Sequence, residues 1–114
     1  EVVEIVGEYK DKICIFIDDM IDTGGSIISG ANALLERGAK SVIATCTHPV
    51  FSREATQKLQ ESAISEVICL DTIPICEEKR VPKLTILESA PLISEAIARI
   101  HMNQSVSSLF HDWR

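Results

Sequence analysis

The sequence has no long hydrophobic run, no metal-type cysteine spacing and no excess of positive charge, and each absence excludes a class of protein. No apolar stretch reaches the roughly 20 residues of a membrane-spanning helix, and no secretory signal is visible. The four cysteines include no C-x-x-C pair, the spacing typical of a metal site. The net charge of −6 disfavours a nucleic-acid-binding scaffold. These observations predict a cytoplasmic protein that binds neither membrane nor nucleic acid.

The length and composition are those of one globular domain. The chain has 114 residues, of which 46% are hydrophobic and 25% charged. It begins at Glu1 rather than Met. We therefore interpret residues 1–114 as a single C-terminal domain, cut from a longer chain that also has an N-terminal domain and the start of this one. Cys14, Cys46 and Cys69 lie in β-branched apolar runs, which predicts buried free thiols.

Short apolar runs alternate with amphipathic segments along the chain. Strands are predicted over 2–6, 13–17, 41–46, 66–70 and 84–88, and helices over 26–37, over 53–61 and from Pro91 onward. The continuous apolar run 13–17 predicts a strand covered on both faces. Gly38 is expected to close the first helix and Ser52 to cap the second. This order predicts an α/β fold with a parallel sheet and right-handed crossovers.

A polar motif follows the strand predicted over 13–17, at the sheet edge where α/β folds bind ligands. In "IFIDDMIDTGGSII", residues 15–28, Asp18 and Asp19 interrupt an apolar run, and a buried carboxylate is costly without a partner. The loop 22–26 then presents glycine backbone N–H groups and two hydroxyls at a helix start. It lacks the lysine of a P-loop, so it suits a phosphate monoester better than a nucleoside triphosphate.

The two acids predict the rest of the ligand. Ionised carboxylates accept hydrogen bonds from a vicinal diol or hold Mg²⁺ with its waters, so the motif as a whole predicts a pentose-phosphate site. A simpler interpretation is that Asp22 or Ser26 merely caps the helix, and for either residue alone it is the better one. That interpretation leaves Asp18 and Asp19 unexplained.

The motif "IFIDDMIDTGGSI" resembles the phosphoribosyl-diphosphate-binding motif of the type I phosphoribosyltransferase fold, in the form typical of the ribose-phosphate pyrophosphokinase family. Residues 37–52, 71–101 and 105–110 resemble the same family in the same order. The resemblance implies a three-layer, parallel-sheet, type I phosphoribosyltransferase-like fold, of which this chain supplies the C-terminal portion. Position 24 is Gly where many members have Ala, which we expect to be a neutral difference.

The resemblance also implies an activity, namely transfer of diphosphate from ATP to C1 of ribose 5-phosphate, which gives phosphoribosyl diphosphate and AMP for nucleotide biosynthesis. Its implied 5-phosphate loop consists of Asp22, Thr23, Gly24, Gly25 and Ser26. Asp18 and Asp19 match the acids that face the ribose hydroxyls, with Mg²⁺ nearby, held directly or through water.

A regulatory segment and an oligomer are implied as well. The match to a phosphate- and ADP-binding segment between subunits covers Ser105, Val106, Ser107, Ser108, Leu109 and Phe110. The family forms homo-oligomers, typically hexamers built from dimers. The ATP site, the diphosphate loop and the basic catalytic residues of the family have no counterpart in this chain. Lys79 and Arg80 are expected to be solvated, and the chain alone is expected to be inactive.

Two other functions remain open at this point. A non-catalytic regulatory subunit related to the synthetase is expected to lose its sugar-phosphate loop, whereas the acids, glycines and hydroxyls of 18–26 are all present here. A type I phosphoribosyltransferase is expected to differ over 71–110, because that region would carry its base-binding hood.

Overall fold

Four parallel strands form one sheet in their order along the chain, in the computed structural model, which describes residues 5–113. The strands are β1 (Ile13–Ile21), β2 (Ser41–Pro49), β3 (Glu66–Leu70) and β4 (Leu84–Leu87), and the helices are α1 (Gly25–Glu36), α2 (Ala55–Glu61) and α3 (Ala90–His101). The predicted α/β class with a parallel sheet is confirmed. Of the strand predicted over 2–6, residues 2–4 lie outside the described residues, and residues 5 and 6 are not in a strand.

The first two strands are longer than their apolar runs. β1 continues through both acids, with Asp18 in register with Cys46 and Met20 with His48. The prediction that the acids come after the strand is therefore wrong. Ladder pairing involves the backbone only, so a strand continues through polar residues when a neighbouring strand pairs with it.

One face of the sheet carries the core. Its fully or nearly buried members come from all of β1 to β3, from α1 and α2 and from two loops, namely Ile21, Ile27, Ala31, Val42, Ala44, Cys46, Phe51, Ala55, Leu59, Ile64, Val67 and Cys69. Gly30 of α1 lies close to β1, since a Cβ atom there would be 2.8 Å from the ring of Phe16. Helices α1 and α2 thus pack against one face of the sheet.

The other face of β1 is exposed within residues 5–113. Ile13, Ile15 and Ile17 are 56%, 58% and 87% exposed. The prediction of a strand covered on both faces is therefore wrong for this chain, because α1 and α2 pack on the opposite face and no residue of α3 is buried. Helix α3 is tied to the sheet at its start, where the Ser89 N–H and hydroxyl donate to Asp71 Oδ1 at 2.9 and 2.6 Å.

The predicted helix ends are confirmed at one position and wrong at another. Gly38 follows α1 with a φ of +100°, and its N–H donates to Leu35 O at 3.1 Å, as a C-terminal glycine does. Ser52 does not cap α2, because that helix starts at Ala55 with Glu54 as its N-cap. No helix within residues 5–113 combines the length and the hydrophobicity that crossing a membrane requires.

Candidate functional site

The end of β1 and the start of α1 enclose an open pocket of about 170 Å³. Its lining residues are Asp18, Met20, Ile21, Asp22, Thr23, Gly24, Gly25, Ser26 and Ile27. Six of the seven residues that the sequence assigned to the substrate are among them, and Asp19 is not.

The N-terminus of α1 opens into this pocket without a cap from any side chain. Gly24 is the N-cap residue, at a φ of +81°, and Ile28 N–H makes the first intrahelical bond, to Gly24 O at 3.0 Å. The N–H groups of Gly25, Ser26 and Ile27 therefore have no intrahelical acceptor. The interpretation of Asp22 or Ser26 as a helix cap is wrong, since neither makes a capping hydrogen bond.

The start of α1 itself favours an anion, while the carboxylates of Asp18 and Asp22 line the same pocket. The first turn of α1 carries no acidic residue. The positive end of the helix dipole and the free N–H groups thus both face the pocket. Such an arrangement binds phosphate. The nearby Thr23 and Ser26 are exposed and add hydroxyl donors.

Asp22 is held by the loop that follows β2. The Ser52 hydroxyl donates to Asp22 Oδ1, and the Ser52 N–H donates to Asp22 O at 3.1 Å. One residue earlier, Phe51 N–H donates to Ile21 O at 3.0 Å. These contacts fix both the backbone and the carboxylate at the pocket wall.

The two acids of β1 are exposed, so water solvates them and neither needs a buried partner. Asp18 Oδ1 accepts the Asp19 N–H, and Asp19 Oδ1 accepts the Met20 N–H, both at 2.8 Å. Neither carboxylate takes part in an ion pair within the described part of the chain.

A divalent cation would meet only a partial set of ligands here. Among residues 5–113, no three His, Cys, Asp or Glu side chains come together as a metal centre. Mg²⁺, however, commonly takes one or two protein carboxylates and completes its shell with water and substrate phosphates. The exposed Asp18 carboxylate in the pocket lining would be one protein ligand of that second kind of site.

Two buried thiols lie side by side on neighbouring strands of the sheet. Cys46 and Cys69 are register partners on β2 and β3, and they are 6% and 1% exposed. Burial raises the pKa of the Cys69 thiol to about 11 and also raises the pKa of Cys46. The prediction of buried free thiols is confirmed for these two residues, whereas Cys14 is half-buried.

Several contacts of the site join residues that are distant in the sequence, and no sequence pattern predicts them. Ser52 acts on Asp22 from 30 residues away, and the Lys79 ammonium donates to Phe51 O at 2.7 Å, so the prediction that Lys79 is solvated is wrong. His48 is exposed, and its Nδ1 lies 2.8 Å from Thr72 Oγ1. No local pattern reveals such pairs, because their members belong to different loops.

The predicted regulatory segment forms hydrogen bonds with itself and with α3. Ser105 Oγ lies 2.6 Å from Ser107 Oγ, and Arg99 Nη1 donates to Ser105 O at 3.3 Å. A 3₁₀ helix then runs over Ser107–Trp113, with Phe110 69% exposed. Within residues 5–113, no hydrogen bond joins this segment to the pocket residues.

Comparisons with known proteins cover almost the whole chain. A family model described as the phosphoribosyl synthetase-associated domain matches residues 2–111. The ribose-phosphate pyrophosphokinase of Clostridium tetani is 54% identical over 110 residues, which are 96% of this chain and 34% of that protein. The protein of the same name from Halalkalibacterium halodurans is 51% identical over 110 residues, 96% of this chain and 35% of the relative.

A solved structure agrees with these relatives. The crystal structure of phosphoribosylpyrophosphate synthetase from Mycobacterium smegmatis superposes with a TM-score of 0.81 at 50% identity, covering 86% of this chain and 33% of that one. This chain therefore spans about a third of the length of the proteins that it matches.

Proposed function

We propose that this chain, which belongs to the phosphoribosyl synthetase-associated domain family, is the ribose 5-phosphate-binding part of a ribose-phosphate pyrophosphokinase. One observation carries the proposal. The uncapped N-terminus of α1, an anion site, faces the same pocket as the Asp18 carboxylate, an acceptor for hydroxyl groups. A phosphate and a polyol on one small molecule satisfy both.

The 5-phosphate is assigned to the loop. Its oxygens accept hydrogen bonds from the N–H groups of Gly25, Ser26 and Ile27 and from the hydroxyls of Thr23 and Ser26. Glycine at positions 24 and 25 leaves room for the phosphate to approach the backbone closely.

The ribose is assigned to the acids. The sugar hydroxyls donate to Asp18, which orients the ring with its C1 oxygen away from the phosphate loop. Asp18 would also hold Mg²⁺, with Asp19 as a ligand through water, and the ion would neutralise charge on the transferred diphosphate. Most of the protein's contribution in this part of the site is positioning, which lowers the entropic barrier to attack.

The whole reaction needs more than this chain. In the proposed reaction the C1 oxygen of ribose 5-phosphate attacks the β-phosphorus of ATP, and AMP leaves. The groups that act on ATP are assigned to the remaining two-thirds of the proteins that this chain matches. We therefore expect no synthetase turnover from the 114 residues alone. Phosphate or ADP binding at 105–110, between subunits of a homo-oligomer, belongs to the same proposal.

Replacing Asp22 by Ala tests the assignment of the loop. Asp22→Ala removes the carboxylate that Ser52 holds, so the loop loses its fixed geometry, and we expect ribose 5-phosphate affinity to fall about 3- to 10-fold. Isothermal titration calorimetry of the folded variant measures this change. Glu36→Ala, the same loss of charge at the far end of α1, should leave the affinity unchanged. Equal affinity in Asp22→Ala and the unaltered chain would contradict the assignment.

A further inference from the structure

A strained turn joins β2 to α2. Phe51 is 1% exposed and has a φ of +44°, and Arg53 has a φ of +54°. Left-handed backbone is uncommon for residues other than glycine, and for a bulky side chain it is an outlier that neighbouring contacts must hold in place. Strain of this kind is concentrated at functional sites, so the contacts of this turn indicate what it serves.

On one side, the turn is bonded to the pocket. Phe51 N–H donates to Ile21 O at 3.0 Å and Ser52 N–H to Asp22 O at 3.1 Å. The Ser52 hydroxyl donates to the carboxylate of the same Asp22. Three bonds to two consecutive residues fix the backbone of the loop and the direction of one side chain.

On the other side, the turn is bonded to the loop that follows β3. The Lys79 ammonium donates to Phe51 O at 2.7 Å, from a short 3₁₀ helix over Glu77–Lys79. Lys79 is half-buried, so this bond is partly shielded from water. Residues 51–53 are therefore held between the pocket and a loop that is distant in sequence.

Asp22 has an alternative acceptor role that the structure does not show. It lies two residues before Gly24, and aspartate in that position commonly accepts the N–H two residues ahead, in an Asx turn. An Asx turn here would place the Asp22 carboxylate on the N–H of Gly24, the N-cap residue of α1. That turn does not form, since the Asp22 carboxylate is bonded to Ser52, and within residues 5–113 the Gly24 N–H makes no backbone hydrogen bond.

We infer that Ser52 is a positioning residue that holds the Asp22 carboxylate away from the Gly24 N–H, at the start of α1, and so keeps that N–H free for a phosphate. Lys79 supports this role by fixing the turn that carries Ser52. The inference rests on the proposed function for the identity of the ligand, but the bond between Ser52 and Asp22 exists without any ligand.

The test in binding uses four variants of the chain: Ser52→Ala, Ser52→Thr, Asp22→Ala and the double variant. Ser52→Ala should weaken ribose 5-phosphate binding about 3- to 10-fold, because the Asp22 carboxylate then competes with the phosphate for the Gly24 N–H. Ser52→Thr keeps the hydroxyl and should bind within about 2-fold of the unaltered chain. In the Asp22→Ala background, Ser52→Ala should have no further effect, since the competing carboxylate is gone.

Two controls separate this role from general destabilisation. Ser65→Ala removes a hydroxyl that donates to Val42 O at 2.9 Å, at the start of β2, and should not change the affinity. Lys79→Met removes the second support of the turn and should weaken binding in the same direction as Ser52→Ala. Should Ser52→Ala fail to fold, Lys79→Met and Ser52→Thr still carry the comparison.

A readout without ligand keeps this inference separate from the proposed function. In ¹H–¹⁵N spectra of the ligand-free chain, Ser52→Ala should shift the Gly24 and Gly25 amide resonances, and Ser52→Thr should restore them. If ribose 5-phosphate does not bind the unaltered chain, the proposed function fails, while these shifts still test the inference. Unshifted amides in Ser52→Ala, or an undiminished effect of Ser52→Ala on affinity when Asp22 is already Ala, would overturn it.

Discussion

At the scale of single residues, the acids of β1 show how solvent exposure resolves an apparent conflict in the sequence. Two adjacent carboxylates inside an apolar run suggest a costly burial. Both are exposed, so neither carboxylate is buried. Asp18 lines the pocket and Asp19 does not.

Cys69 makes the stability of the fold depend on alkaline pH. Burial raises the pKa of this thiol from 9.0 to about 11, so the native state holds its proton more tightly than the unfolded state does. The resulting stability is fully present below pH 9 and is lost as the pH rises toward 11.

We therefore expect the free energy of unfolding to fall by about 2–3 kcal/mol between those two values. Urea denaturation followed by circular dichroism at several pH values measures the fall. Cys69→Ala lacks the group and should show a smaller pH slope, whatever its absolute stability. The same slope in both proteins would contradict the assignment to Cys69.

At the scale of elements, the start of α1 depends on one backbone conformation. Gly24 has a φ of +81°, which side chains disfavour, while a Cβ atom there would meet Leu59 Cγ at an ordinary 3.5 Å. The positive φ at Gly24 therefore argues against a neutral Ala at position 24 on conformational rather than steric grounds.

Gly24→Ala should lower the free energy of unfolding by about 1–2 kcal/mol. Gly25→Ala is the matched control, because Gly25 has no positive φ and only Thr23 Oγ1, 4.0 Å away, near its missing Cβ. We expect that variant to be as stable as the unaltered chain in thermal denaturation. Equal losses from both substitutions would show that the backbone conformation is not the cause.

The elements themselves could be predicted where one local signal decided them. The strand over 66–70 and the glycine at position 38 follow from an apolar run and from helix-end chemistry, and both are confirmed. The extensions of β1 through 18–21 and of β2 through 47–49 depend on pairing between strands, which leaves no mark on side-chain polarity.

The candidate site was predictable in part for the same reason. Its loop is one continuous segment, so six of its residues could be identified together. Ser52 is a favourable cap residue next to a helix, and the local rule favoured that role. Its partner Asp22 lies 30 residues earlier, and only the sheet brings the two loops together.

At the scale of the whole molecule, α1 and α2 cover the sheet on one side. The exposed face of β1, formed by Ile13, Ile15 and Ile17, lies opposite the core that α1 and α2 cover. An apolar face of this kind on a single chain marks an interaction surface or an aggregation risk.

We expect this face to bind the dye ANS in the folded state. Ile17→Thr replaces the most exposed of the three isoleucines with another β-branched residue, so it should reduce ANS fluorescence and change the unfolding free energy by less than about 0.5 kcal/mol. Val6→Thr is the matched control, because Val6 is 89% exposed but lies outside the sheet. Equal ANS fluorescence of Ile17→Thr and the unaltered chain would contradict the role given to the exposed face.

The central claim is that one pocket binds the phosphate and the sugar of the same molecule. The most direct test is a calorimetric titration of the chain with ribose 5-phosphate in the presence of Mg²⁺, with ribose and inorganic phosphate titrated in parallel and folding verified by circular dichroism. The account predicts that ribose 5-phosphate binds more tightly than either half, since only it engages both the α1 N-terminus and Asp18. Ribose 5-phosphate that binds a folded chain no better than inorganic phosphate would contradict it.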